Sequence, residues 1–217
     1  MARVLKYFAI ILIPIVIILG NLKYLATNMG FYQSLYKKVG VYTDFQDANV
    51  VDGATSNLIG YFRGKNQLDH NFFSTQATAH LRDVHDLLIL TSGLFYLSAI
   101  ALFGVGVFLI SRGQSKIILQ SLVISSIVTI IFIATLGLGV ATAFDSLFFK
   151  FHQLLFTNTL WLFPADDNLI RLFPQQFFVE FANQLAANIF VTSSIIAVSS
   201  FVLKKQLTRP KYLILNT

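Results

Sequence analysis

The 217-residue sequence contains no cysteine. Disulfides, thiolate metal sites and a cysteine nucleophile are therefore all excluded, and composition carries no mark of the redox compartment. Charge is scarce as well: 12% of residues are charged against 55% hydrophobic, and the mean hydropathy is +0.69. A soluble domain carries about 25% charged residues, so the chain falls short by about half and does not read as an ordinary cytosolic globule. The same balance excludes disorder, which needs low hydrophobicity and high charge. No P-loop, dinucleotide glycine fingerprint, G-x-S-x-G elbow or HExxH pair occurs in the sequence. No internal repeat or low-complexity tract is apparent.

What is present is apolar sequence in long runs. A bilayer core takes about 20 apolar residues as a helix, and four runs meet that demand, at about 7–27, 87–111, 117–143 and 184–203. Hydrophobicity all round a helix of this length points to lipid, not to a soluble core. The first run follows Arg3 and Lys6 as a signal peptide would. It is long for a signal and no clear A-x-A site follows, so it reads as a retained span. Pro14 inside it is tolerable in a membrane helix, and Lys23 near its end can reach the interface. The other three runs contain no charge, and an ion pump or proton-coupled transporter usually needs one.

Four spans put both termini on one side. That side holds Arg3, Lys6, Arg112, Lys116, Lys204, Lys205, Arg209 and Lys211 and no acid, a formal charge of +8. The other side holds the remaining eight cations and all ten Asp and Glu, a formal charge of −2. The basic flanks predict cytoplasmic termini by the positive-inside rule. The net charge of +6 is thus a topology signal, and no nucleic-acid partner is expected, since a binding patch would not be split over three membrane-proximal flanks.

The expected fold is an all-α membrane protein, a single integral membrane domain over 1–217. Its four transmembrane helices carry two extracytoplasmic segments, about 28–86 and 144–183, that are mostly helical and form a small outer cap. In the first segment Phe31, Leu35 and Val39 recur at spacing four with Gly40 as a stop. A second periodic stretch covers about Ala54–Phe62, and a third starts at the N-cap candidate Ser74 and runs through His80 into the second span. Strand near Val41–Phe45 is an open alternative. The second segment is crowded with phenylalanine, is broken by Pro164 and Pro174, and suits the bilayer interface. Asp166 and Asp167 precede a short apolar turn, as helix caps do.

All four histidines lie in these two segments. His80 and Asp83 share a helical face at i, i+3, and His152 follows the third span at a comparable depth. Histidine exchanges protons near neutrality, so two of them at one depth hint at catalysis. The competing reading is that interfacial histidines are simply comfortable amphipathic residues. His70 sits in a polar loop. His and Asp at helical spacing can also bind zinc, but no strong metal pattern is present and no metal is expected.

Three patterns occur in order: His80-Leu81-Arg82-Asp83-Val84; Phe151, His152, Phe156, Asn158 and Trp161; and Pro164, Asp167, Leu169, Ile170, Pro174, Phe177 and Phe178. With the four spans and two outer segments, the whole chain resembles the lipoprotein intramolecular transacylase (Lit) family. The resemblance implies a multi-pass protein of the bacterial cell membrane with its active site on the extracytoplasmic face. It implies acyl transfer within a diacylated lipoprotein, from the sn-2 position of diacylglyceryl-cysteine to the cysteine's own α-amino group, giving the lyso form. It implies that His80 and His152 matter. The chain departs from the expected pattern at Ala77, where an acid is expected, and at His85, where a lysine is expected, so no catalytic role is carried to His85.

The substrate supplies both ester and amine, so no cofactor and no acyl-enzyme are required. Proximity, a base and oxyanion donors are. His80 is the expected base, with Asp83 orienting it, and His152 or Asn158 the expected oxyanion donor. Phe156, Asn158, Trp161 and Asp167 are expected to meet substrate, beside membrane lipids, in a monomer. Two other readings use the same surface: a non-catalytic lipid- or lipoprotein-binding accessory protein, and a metal-dependent membrane hydrolase.

Overall fold

A computed structural model describes residues 1–208. Arg209 and Lys211, counted above in the basic C-terminal flank, lie outside the described residues. Among the described residues the regular elements are all helices, in the order α1 Ala2–Ala26, α2 Met29–Val39, α3 Val41–Phe45, α4 Ala48–Phe62, α5 Thr75–Ser111, α6 Ser115–Leu155, α7 Asn168–Leu172 and α8 Gln175–Thr208. Four of these, α1, α5, α6 and α8, are long and apolar enough to cross a membrane.

Local chemistry sets most of the boundaries. Gly40, at φ 81°, ends α2 with its N–H on the Tyr36 carbonyl. Ser74 caps α5 by accepting the Ala77 N–H at 3.1 Å. Val41–Phe45 is a single helical turn and not a strand, closed by left-handed Gly40 and Gln46. α4 begins at Ala48, six residues before the expected start, because the Asp47 side chain accepts the Asn49 N–H at 2.8 Å. The Val50–Val51 pair and Gly53 dilute helical propensity there, so the cap decides where periodicity does not. α6 bends at Ala143 (φ −149°, ψ 39°), where the third apolar run ends.

The chain forms two compact units. One comprises Met1–Gly20, Gly93–Ala134 and the described chain from Ala187 to Thr208. Its interior is rich in small hydroxyl residues: Ser98, Ser121, Ser125, Ser126, Thr129, Ser193 and Ser200 are buried, as expected where helices pack without a hydrophobic driving force. Pro14 cannot donate to the Ile10 carbonyl one turn back. The Ser125 hydroxyl donates to that carbonyl instead, at 3.1 Å. Ile100, Phe103, Phe190 and Phe201 are exposed, the expected surface for a helix in lipid. An apolar groove of about 300 Å³ runs past Pro14, Ile18, Leu94 and Phe132.

The other unit comprises Asn21–Ser92 and Thr135–Ala186. Its core joins α2, α3, α4 and α7 to the first turns of α5 and α8 through Tyr32, Tyr36, Leu58, Phe73, Leu172 and Phe177. Phe177 lies 5.7 Å from Tyr32, 5.6 Å from Tyr36 and 5.0 Å from Phe173, ring to ring. The buried hydroxyls are satisfied, Tyr36 with Thr55 at 2.9 Å and Tyr32 on the Ala26 carbonyl at 3.1 Å. Polar ties lock the rim: Arg171 to Asp44 at 2.9 Å with its guanidinium over Phe45, and Lys38 to Glu180 at 2.6 Å.

Candidate active site

The second unit brings His80 and His152, 72 positions apart in sequence, to a ring separation of 6.2 Å at an interplanar angle of 32°. Two helices deliver them. A 37-residue α5 is about 55 Å long at 1.5 Å per residue, well beyond a bilayer core of about 30 Å. His80 therefore sits in the polar turns before the apolar run that starts at Leu87. His152 stands in the arm of α6 past the Ala143 bend, where Phe144, Phe148 and His152 follow one another at helical spacing of four.

Both imidazoles are 8% exposed and walled by aromatics. Phe156 lies 5.1 Å from His80 and 5.7 Å from His152. Phe163 meets His80 edge-on at 5.7 Å. Phe148 and Trp161 flank His152 at 4.2 and 4.9 Å. Burial disfavours the charged form, so both rings are driven toward neutrality. His80 is lowered from the usual 6.5 to about 4, chiefly by burial and then by His152, with Asp83 opposing. His152 is lowered by burial, against which its bond to the Phe148 carbonyl acts.

The two rings differ in their hydrogen bonds. His152 Nδ1 is 2.8 Å from the Phe148 carbonyl oxygen, which can only accept. The neutral ring is thereby held as the Nδ1–H tautomer, and the lone pair is on Nε2. His80 Nδ1 is buried with no hydrogen-bond partner. Ala77, one turn earlier on α5, is fully buried in the apolar core, so the position where an acid is expected supplies no acceptor.

Asp83 does not hydrogen-bond His80. Its carboxylate accepts the Asn158 amide at 2.9 Å, and its influence on His80 is electrostatic, smaller than burial. Asn158 is a hub: its side-chain oxygen accepts the Leu160 N–H at 3.0 Å and its carbonyl accepts the Trp161 indole N–H at 2.9 Å. The chain Asp83–Asn158–Trp161 thus ends on the ring that faces His152. Asp167 stands apart from the histidines. Its carboxylate caps α7 through the Leu169 N–H at 2.8 Å and accepts the Ser74 hydroxyl at 2.7 Å, which supports the capping reading. His85 packs on Tyr61 at 4.8 Å beside Asp86, and His70 is exposed in its loop.

Three contributors to the histidine pocket are not among the expected site residues, although Phe148 and Phe163 belong to the aromatic segment. Phe148, one turn before His152, was recoverable from helical spacing. Gln76, one turn before His80, holds the Leu160 and Leu162 carbonyls at 3.1 and 2.8 Å, and it was recoverable in the same way. Phe163 was not, because it reaches His80 across the fold. No group of three or more His, Asp or Glu side chains gathers as a metal would require among the described residues.

A family model described as lipoprotein intramolecular transacylase Lit matches residues 7–178. The fold is similar to that of a solved structure of the membrane-integral lipoprotein intramolecular transacylase Lit from Bacillus cereus, with 23% identity over 96% of this chain and 99% of that one and a TM-score of 0.85. Two further structures of the Bacillus cereus protein, each with one histidine replaced, align at a TM-score of 0.80. The arginine variant is 22% identical, covering 96% of this chain and 95% of its own. The alanine variant is 23% identical, covering 96% of each. No curated protein matches the sequence.

Proposed function

Because the chain belongs to the lipoprotein intramolecular transacylase family, a family of acyltransferases, we propose that it moves the sn-2 acyl chain of a diacylglyceryl-cysteine to that cysteine's own α-amino group. The observation that carries this reading is the pair of neutral, aromatic-walled histidines 6.2 Å apart. One ring can take a proton while the other donates a hydrogen bond.

The amine nitrogen attacks the ester carbonyl carbon. A C–N bond forms, the C–O bond to the glycerol breaks, and the proton leaving nitrogen ends on the glyceryl oxygen. Nothing else is consumed. His152 Nε2 is the better base, because its tautomer is fixed and the Nδ1–H bond to a carbonyl supports its basicity. His80, held neutral at pH 7, suits a donor to the oxyanion. This reverses the roles that the sequence suggests, where His80 is the base. Asn158 is spent on Asp83 and Leu160, which fits positioning better than oxyanion binding. Asp83 anchors Asn158, and Phe156 and Trp161 shape the walls. The site faces the extracytoplasmic side, the termini are cytoplasmic and the protein acts as a monomer, with acyl tails among aromatic side chains.

The test is reconstitution with a synthetic diacyl lipopeptide and no phospholipid donor. Transfer within one molecule leaves the mass unchanged, so fragmentation must locate the chain, and reactivity toward an amine label must vanish. His152→Ala and His80→Ala are expected to abolish the change while leaving the melting transition in place. An accessory binding protein would keep its function in both variants. A phospholipid requirement would overturn the intramolecular step.

A further inference from the structure

Away from the histidines, the second unit carries a recess of about 350 Å³ lined by Thr27, Ser56, Gly60, Arg63, Lys65 and Asn66 among others. No acid lines it. Its two cations form no ion pair among the described residues, whereas other carboxylates of this unit are held elsewhere: Asp44 by Arg171, Glu180 by Lys38, Asp83 by Asn158 and Asp145 by Gln175.

The loop that presents the cations is built and not slack. Gly64 takes φ 68°, and the Lys65 N–H bonds the Gly60 carbonyl at 2.9 Å. The Asn66 amide fills the space that a side chain at Gly60 would need and donates to the Asn57 and Gln67 carbonyls, each at 3.0 Å. Arg63 spends one N–H on the Thr27 carbonyl at 2.8 Å, which fixes the guanidinium and leaves its other N–H groups free. Thr27 directly follows α1, the first apolar span, so the recess lies at the end of that span.

We propose that this recess binds a phosphate group, supplied by the headgroup of an anionic membrane phospholipid. A guanidinium fork matches phosphate oxygens, Lys65 adds a compact charge, and the Ser56 hydroxyl lies at hand for a third bond. A zwitterionic headgroup would bring its own cation against Arg63 and Lys65 and bind less well.

The full chain in detergent is titrated with phosphatidylglycerol, phosphatidylcholine and inorganic phosphate, and occupancy is read by native mass spectrometry. One phosphatidylglycerol should remain bound under conditions that strip phosphatidylcholine. Arg63→Gln/Lys65→Gln should lower its occupancy at least fivefold. Lys65→Gln alone, which removes no side-chain bond, should lower it at least threefold without moving the melting transition. The charge-matched Lys37→Gln/Lys150→Gln should bind as the parent does. Equal binding by Arg63→Gln/Lys65→Gln and the parent, or equal loss in the control pair, overturns the site. Binding of inorganic phosphate at concentrations where no phosphatidylglycerol is retained overturns the lipid as the source of the phosphate.

Discussion

At the scale of residues, two similar side chains in one pocket differ in what their Nδ1 atom meets. The Phe148 carbonyl decides the tautomer of His152, and nothing decides that of His80. The consequence for pH has a definite sign. A folded pKa of about 4 against 6.5 for His80 means that the unfolded chain binds a proton the folded chain refuses. Stability is therefore full above pH 6.5 and falls as pH drops toward 4. The melting temperature in detergent should fall across that window, and His80→Gln should flatten part of the fall. Activity behaves differently. Burial lowers both histidines from their ordinary value, so the rise in rate between pH 6 and 8 should follow the substrate's α-amino group, with its pKa of about 8. N-methylating that amine, or otherwise moving its pKa, should move the profile; a midpoint that ignores the amine would contradict the assignment. The hub residue makes a separate prediction. Asn158→Ala should lower kcat about ten- to a hundredfold, a change of about 1.4 to 2.8 kcal/mol, with KM little changed. Asn158→Asp should be worse, since it sets a carboxylate against Asp83. Adding Asp83→Asn to it should recover activity if the tie itself is what matters.

At the scale of elements, the legible features are those encoded within a turn or two. Gly40, Ser74 and Asp167 announce caps by their own chemistry, and each caps as expected. The uncharged runs announce spans because lipid makes composition decisive. What the sequence conceals is pairing across long separations: Asn158 with Asp83, Gln76 with Leu160, Phe163 with His80. The bend of α6 at Ala143 is concealed as well, with no proline or glycine at the bend to mark it. The same concealment covers the repair of α1. Ser125 donates to the carbonyl that Pro14 leaves unpaired, and neither residue predicts the other. Ser125→Ala should cost about 1 kcal/mol. It should cost less in a Pro14→Ala background, where the backbone supplies its own donor. A double-mutant cycle in denaturant should return a coupling of about 0.6 kcal/mol, the usual size for hydrogen bonds between membrane helices.

At the scale of the whole molecule, charge predicts orientation. With a formal +8 on one side and −2 on the other, the turn between α5 and α6 should be cytoplasmic and the loop before α5 external. The absence of cysteine makes this simple to test. In intact cells an impermeant maleimide should label Asn71→Cys and spare Gln114→Cys, and the reverse pattern would invert the topology. The histidines were legible individually, but their meeting at 6.2 Å was not, because only the assembled unit sets that distance. One consequence of the assembly is optical. The chain has a single tryptophan, and that indole rests 4.9 Å from the His152 ring. Protonated imidazole quenches indole emission, so the intrinsic fluorescence of the entire protein reports on one spot. Arrival of a lipopeptide at the proposed site, or a proton on His152, should register in real time in the natural emission of Trp161, with no label attached.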